Sequence, residues 1–141
     1  MKSISVRIFV LISLVMLMSA CKSSSKLDAK DQLTVSAWEL STLQGMAVDS
    51  KEFMKGMPFL VFSKDGRLTG STGCNSMSGT YEAKNNNISL NLGAMTRMAC
   101  PGNGEMLFLE AMRKVKNLEI SGGKLALLDG TTEMMTFVPR K

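Results

Sequence analysis

The chain has 141 residues, a formal net charge of +5 at pH 7 and no histidine. This length suits one small domain with a single core. The absence of histidine removes the commonest general base and the commonest nitrogen ligand for metals. The positive charge is small and lacks a basic stripe interleaved with aromatic residues, which argues against nucleic-acid binding. The 13 methionines are scattered along the chain, as expected for adaptable core filler, so we expect no metal and no cofactor.

Residues 1–20 have the layout of a secretory signal peptide. Lys2 and Arg7 supply a positive region, and an apolar stretch follows over residues 8–18. That stretch is too short to remain as a permanent membrane span. Cleavage would remove both positive residues, so the mature chain would carry a formal charge of +3 (+5 minus 2).

Two small residues, Ser19 and Ala20, directly precede Cys21, and this arrangement resembles the lipobox of bacterial lipoproteins. The resemblance implies cleavage before Cys21, attachment of a diacylglycerol to its thiol and acylation of the new amine. Stable attachment needs more than one acyl chain, and a triacylated cysteine meets that condition. The alternative is an ordinary cleaved signal with an incidental cysteine.

Residues 21–32 predict a flexible tether between membrane and fold, because they are polar, rich in Ser and Lys, and without apolar periodicity. In enterobacteria-like sorting, an Asp after the lipidated cysteine retains a lipoprotein in the inner membrane, and here that position is Lys22. For a Gram-negative cell we therefore expect an outer-membrane protein that faces the periplasm. Residues 33–141 form the predicted domain.

Short apolar runs and turn residues alternate in this domain. An apolar run at residues 58–62 precedes a turn at residues 64–66, whose Asp-Gly pair is a strong hairpin signal. A turn at residues 85–87 leads into residues 88–92, where strict alternation predicts a half-buried strand. A Gly-Gly turn at residues 122–123 predicts a further hairpin.

One segment changes to a helical period. Its apolar residues share one helical face: Leu107, Phe108, Ala111, Met112 and Val115. Asn103 is a suitable N-cap, and Glu105 lies in the first turn, where the helix dipole favours an acid. Seven or eight short strands and one late helix result. We expect an α+β domain with a small, antiparallel, partly closed, barrel-like sheet and the helix across its open end.

An ordered set of motifs accompanies this pattern. The set is Trp38-x-Leu40, Gly73-Cys74-Asn75, Gly79 with Tyr81, Thr96-x-Met98-Ala99-Cys100, Glu105 with Phe108, and Leu125-x-Leu127. It resembles the META domain, also called the HslJ-like domain, of bacterial envelope lipoproteins and secreted proteins. The resemblance covers residues 33–138 and implies a small α+β domain with one helix. It implies no established biochemical activity, although a better-known bacterial member is linked to heat shock and novobiocin resistance.

Cys74 and Cys100 are the two cysteines of the predicted domain. In an oxidising periplasm two such cysteines usually pair, and lipidation of Cys21 leaves them as an even set. A bond would close a loop of about 26 residues, worth roughly 3 to 4 kcal/mol. Buried free thiols, a redox pair and a two-thiolate metal site are the alternatives. The chain has no Cys-x-x-Cys motif, and a closed zinc site would lack ligands.

Thr96 and Arg97 are the candidate binding residues. They precede Cys100 on a predicted surface loop, where a guanidinium can bind an anionic group. The alternative is a solvated Arg97. The serines near Cys74 have no histidine partner, and no Ser-x-x-Lys motif lies in the domain, so we expect no enzymatic activity.

These expectations describe a non-enzymatic envelope lipoprotein with a monomeric domain and a membrane anchor at Cys21. Such a protein would bind or scaffold an envelope partner in tolerance of heat or antibiotics. The alternative is an inhibitor or small-ligand-binding module that acts on an envelope enzyme, which is an analogy at the level of the fold.

Overall fold

The computed structural model describes residues 28–141, so the predicted signal peptide, Cys21 and most of the predicted tether lie outside the described residues. The helices are α1 (Ala29–Leu33) and α2 (Gly104–Lys114), and a 3-10 turn spans Ser50–Glu52. The strands are β1 (Ala37–Leu43), β2 (Met46–Ala47), β3 (Phe59–Phe62), β4 (Arg67–Ser71), β5 (Ser76–Lys84), β6 (Asn87–Met95), β7 (Asn117–Ser121), β8 (Lys124–Asp129) and β9 (Thr132–Pro139). No helix in this part of the chain is both long and apolar enough to cross a membrane.

Nine strands form one antiparallel sheet whose pairings return to their start. The order is β2-β1-β3-β4-β5-β6-β7-β8-β9, and β1 also pairs with β9. The sheet is therefore ring-like, and the two-residue β2 lies outside the ring as a hairpin partner of β1. The predicted α+β class with an antiparallel, partly closed sheet is confirmed. The sequence did not predict β2, because a strand of two residues is too short to show an alternating pattern.

The hairpin turns lie where the sequence predicts them. Gly66 precedes β4 with φ +85°, and Gly122 and Gly123 join β7 to β8 with φ values of +57° and +74°. Asn85, in the turn between β5 and β6, has φ +55°. These are left-handed conformations, which glycine adopts without a steric penalty and which asparagine tolerates better than most residues. Local residue choice thus determines where these strands reverse.

Strands β6 and β7 separate almost immediately. β6 pairs with β5 from Asn87 to Met95, but its pairing with β7 consists of Asn87 and Asn117 alone. Helix α2 connects these two strands and buries Phe108, Ala111 and Met112 in the core. The helical face predicted from the sequence therefore covers the opening that the separated strands leave in the ring.

Helix α1 packs against one end of the ring. The indole nitrogen of Trp38, the single tryptophan, donates to the carbonyl oxygen of Leu33 at 2.8 Å, and Leu33 is fully buried. The side chain of Asp28 caps the helix by accepting from the amide of Lys30 at 3.4 Å. The prediction of a flexible tether is therefore wrong for residues 29–32. A helix this short has too few apolar residues to show a period.

The two ends of the ring differ. Helix α1 lies with the turns before β4 and β6: the Asp31 carboxylate is 3.7 Å from Lys64 Nζ, and Ala29 lines a cavity with Asn85 and Asn86. We call this the α1 end. Because neighbouring strands are antiparallel, the loops that follow β4 and β6 lie at the opposite end, which we call the Cys74 end.

Tyr81 on β5 predicts a measurable pH dependence. Its hydroxyl donates to the Ser63 carbonyl at 2.9 Å, and burial, with a smaller effect of the Asp65 charge, raises the pKa of its phenol above 10.0. The folded state therefore favours the neutral phenol. The resulting stabilisation is complete below the unfolded pKa and is lost as the pH rises through the folded pKa.

We expect Tyr81→Phe to lower the free energy of unfolding at pH 7 by about 1 kcal/mol, the usual value of one hydrogen bond. Above pH 10 the difference between the two proteins should shrink, because the phenol ionises in the wild type. Urea unfolding across this range checks both effects. Tyr81 is the single tyrosine, so no other phenol contributes. A constant difference between the proteins at all pH values would contradict this assignment.

Candidate functional site

A buried polar cluster joins three segments at the Cys74 end, with Asn75 at its centre. Asn75 is 3% exposed. Its side-chain nitrogen donates to Glu105 Oε1 at 2.9 Å and to the Met98 carbonyl at 3.2 Å. Its side-chain oxygen accepts from the Thr96 hydroxyl at 2.9 Å and from the Met98 amide at 2.7 Å. One side chain thus links the loop after β4, the loop after β6 and the first turn of α2.

Thr72, the residue directly after β4, completes this cluster. It is fully buried, its hydroxyl donates to Glu105 Oε1, and it accepts from the Asn75 amide at 2.8 Å. Glu105 therefore receives hydrogen bonds from both Thr72 and Asn75, and bonds to a carboxylate are stronger than neutral ones. The prediction that Glu105 lies in the first helical turn is confirmed. These hydrogen bonds could not be predicted, because Thr72 and Asn75 are far from Glu105 along the chain.

Cys74 and Cys100 lie in the two loops that the polar cluster joins, the loop after β4 and the loop between β6 and α2. Their sulfurs are 2.00 Å apart and their Cα atoms 6.1 Å apart, which is disulfide geometry. Cys74 is 4% exposed. The covalent link and the Asn75 hydrogen bonds therefore act in parallel, and both hold the loop before α2 against the loop after β4.

Phe53 packs between two glycines beside this cluster. A Cβ on Gly73 would lie 2.4 Å from Phe53 Cδ1, and a Cβ on Gly104 would lie 2.8 Å from Phe53 Cε1. Gly73 also has φ +84°, which a residue with a side chain rarely adopts. The absence of side chains at both positions therefore lets an aromatic ring pack at the start of α2. Asn103 is the N-cap residue as predicted, but its side chain makes no capping hydrogen bond.

A separate cleft of about 340 Å³ lies between β6 and α2. β6 contributes residues 90 and 92–95, β5 contributes Met77 and Ser78, and α2 contributes Leu109 and Arg113. Most of the lining side chains are apolar and one is cationic, but backbone groups make the exposed surface of the cleft about as polar as it is apolar. Its volume is at the lower end of the range of ligand sites in proteins.

The cleft arises where the sheet is irregular. The register of β5 and β6 shifts between Met77 and Gly79, which marks a β-bulge. A Cβ on Gly79 would lie 2.1 Å from the Asn91 carbonyl oxygen, so glycine is required there for the backbones to approach. Since β7 has already separated from β6, α2 alone faces this half of β6, and Leu90 and Leu92 stay half-buried.

Arg113 supplies the cationic charge of the cleft. It is exposed, and its guanidinium forms no hydrogen bond or contact ion pair within residues 28–141. The nearby Glu110 carboxylate is bound by Lys114 at 2.7 Å. The pKa of Glu110 is lowered by this hydrogen bond, by the positive charge of Lys114 and, more weakly, by the positive charge of Arg113. Glu110 is therefore bound by Lys114, and the Arg113 guanidinium can donate hydrogen bonds to an external carboxylate.

Comparison with known proteins identifies the family. The family model of the META domain matches residues 31–141. The chain belongs to the META domain family. The resemblance drawn from the motifs is thereby confirmed, and the match includes part of helix α1, which the sequence had assigned to the tether.

Solved structures agree on the fold of this META domain. A protein solved by NMR is 23% identical, with a TM-score of 0.61 over 78% of this chain and 93% of its own. A DUF4847 family protein from Bacteroides vulgatus is 17% identical, with a TM-score of 0.59 over 79% and 97%. An NMR structure of a protein from Burkholderia xenovorans is 24% identical, with a TM-score of 0.60 over 80% and 87%. A search of curated proteins gives no significant match.

Three of the six motifs that carried the resemblance meet in the polar cluster of the META domain. Gly73-Cys74-Asn75 supplies one loop, residues 96–100 supply the second, and Glu105 supplies the helix. Thr96, a candidate binding residue, also accepts from the Ser76 amide at 3.1 Å, so its hydroxyl is engaged inside the protein. Arg97 is exposed and has no side-chain partner in residues 28–141, and it does not line the cleft. Binding by Arg97 stays a prediction.

Proposed function

We propose that this META domain protein is a non-enzymatic binding module of the bacterial outer membrane, anchored by lipid at Cys21 and facing the periplasm. Its binding site is the cleft between β6 and α2, and it serves in tolerance of heat or antibiotic stress. The observation that supports the proposal is the separation of β6 from β7, which leaves a cleft lined by apolar side chains and exposed backbone beside Arg113.

The polar cluster is the less suitable binding site. Its side chains satisfy one another, and among the described residues no buried side-chain nitrogen or oxygen lacks a hydrogen-bond partner. A ligand would have to break the charge-assisted hydrogen bonds of Asn75 or Glu105, and the free energy lost with these bonds exceeds what new bonds to the ligand would supply. The cleft demands no such displacement. We therefore assign stabilisation to the cluster and binding to the cleft.

A deletion strain tests the stress role and the cleft together. We expect the strain to grow poorly at high temperature and in novobiocin, and the wild-type gene to restore growth. Ala94→Trp places a large side chain in the cleft and should restore growth poorly. Ala47→Trp is the matched control, because Ala47 is an exposed strand alanine outside the cleft.

Two outcomes would contradict the proposal. Normal growth of the deletion strain under both stresses would refute the stress role. Equal restoration by Ala94→Trp and Ala47→Trp, at equal protein levels, would refute the cleft as the functional site.

The anchor has a test of its own. We expect the wild-type protein to incorporate labelled palmitate and to fractionate with membranes, whereas Cys21→Ser should lose the label and appear in the soluble periplasmic fraction. The physical reason is that each buried methylene contributes about 0.8 kcal/mol to membrane attachment, and Cys21→Ser removes the thiol that accepts the acyl chains. An unlabelled wild-type protein would refute lipidation.

A further inference from the structure

We propose that the cleft takes an extended acidic segment of a partner protein, which pairs with β6 as an added strand and places a carboxylate at Arg113. This inference rests on the proposed function, because it names the occupant of the same cleft. It goes beyond that function by giving the class of partner and the atoms that recognise it.

The backbone of β6 carries unused hydrogen-bonding groups. The Ile88 amide donates to the Lys116 carbonyl at 2.9 Å, so it points away from β5. Backbone direction alternates along a strand, so the N–H and C=O groups of Leu90 and Leu92 point to the same side. The pairing with β7 has ended before these residues, and no other described strand replaces it. Such an edge is a template for an incoming strand.

The lining of the cleft favours a peptide over a lipid chain. The polar side chains in the lining are Ser78 and Arg113, so the remaining polar groups of the cleft belong to the backbone. An acyl chain would cover Leu90 and Leu92 but would leave backbone donors and acceptors without partners, which is costly. An extended peptide covers the same apolar surface and also pairs with those groups.

The charge of the cleft selects an acidic segment. Arg113 is the cation of the lining, and a carboxylate can bind a guanidinium through two parallel hydrogen bonds. A second copy of this chain does not fit, because β6, the strand it would offer for edge-to-edge pairing, contains no acidic residue. Residues 22–27 of the same chain do not fit either, since they carry Lys22 and Lys26 and no acid.

The experiment uses the full chain with Cys21→Ser, labelled with nitrogen-15, so that single backbone amides can be followed by NMR. The probe is an acetylated hexapeptide of alternating Val and Thr with one central Glu. We expect the Leu90 and Leu92 amides to exchange at least tenfold more slowly when the probe is bound. The Ser89 and Asn91 amides, which face β5, should not change.

Two control peptides separate the components of recognition. A version N-methylated at every residue keeps the side chains but loses the backbone donors, and it should bind at least tenfold more weakly. A version with Lys in place of Glu should bind at least fivefold more weakly. Arg113→Glu should reverse this preference, and because Arg113 is exposed, the variant should keep the wild-type spectrum elsewhere.

Several results would overturn the inference. Binding of the N-methylated peptide as tightly as the parent would exclude strand addition. Strand addition would also be excluded if the exchange rates of the Leu90 and Leu92 amides did not change at a probe concentration of about 1 mM, which is the dissociation constant of a weak complex. Protection of the cleft by dodecanoate but not by the probe would replace the peptide with an amphiphile. If any of these results is obtained while Ala94→Trp still fails to restore growth, the acidic peptide is refuted as the occupant of the cleft, and the proposed function stands.

Discussion

Removal of the Cys74–Cys100 bond is expected to lower the free energy of unfolding by roughly 3 to 4 kcal/mol. The two residues are separated by 26 positions, and the cross-link removes the corresponding loop-closure entropy from the unfolded chain. Small domains have a net stability of about 5 to 15 kcal/mol, so this is a large fraction of the total. Urea unfolding of the double variant Cys74→Ala with Cys100→Ala measures the loss.

Reductant supplies the control for this prediction. The wild-type unfolding midpoint should fall in dithiothreitol towards that of the double variant, whose own midpoint should not move. Alkylation of the folded, unreduced protein followed by mass measurement should leave Cys74 and Cys100 unmodified. Alkylation of both residues, or equal midpoints for wild type and double variant, would show that the bond is absent in the protein.

Asn75→Ala is the second substitution with a large expected effect, a loss of about 2 to 4 kcal/mol of unfolding free energy. It removes the amide that bonds Glu105, Met98 and Thr96, and it leaves those groups without these bonds beside the core. Asn75→Asp should cost more at neutral pH, because it places a second carboxylate against Glu105. Thermal and urea unfolding of the purified variants check both values.

Asn91→Ala is the matched control for Asn75→Ala. Asn91 is an exposed asparagine on β6, and its replacement should change stability by no more than about 0.5 kcal/mol. A double-mutant cycle of Asn75→Ala with Glu105→Ala should give a coupling energy of about 1 to 3 kcal/mol. Additive effects of the two substitutions, or a cost of Asn75→Ala as small as that of Asn91→Ala, would show that the cluster does not stabilise the fold.

The features that the sequence predicts correctly depend on local chemistry. The Gly66 and Gly122-Gly123 turns follow from backbone freedom at single positions, and helix α2 follows from a period of a few residues. The α+β class and the antiparallel sheet then follow from short connections. Family membership could be inferred from the spacing of motifs, even though that spacing says nothing about what the motif residues contact.

The features that the sequence does not predict depend on distant contacts. Asn75 and Glu105 are 30 positions apart, and neither residue type alone distinguishes a buried network from a turn or a helix end. The packing of Phe53 between Gly73 and Gly104 joins three separate segments. The cleft results from the separation of β6 and β7. The alternation of apolar and polar residues along β6 continues unchanged through that point, so the sequence does not reveal it.

The position of helix α1 bears on how the domain would lie on a membrane if the proposed anchor at Cys21 holds it there. With the anchor proposed at Cys21, seven residues (28 minus 21) reach at most roughly 25 Å from the bilayer surface to Asp28. Strand β5 then runs nine residues, about 30 Å, between the Cys74 end and the α1 end. Under this proposal the α1 end is the end of the ring tied nearest the bilayer, and residues 92–95 of the cleft lie towards the opposite Cys74 end, where the proposed partner would reach them from the aqueous side.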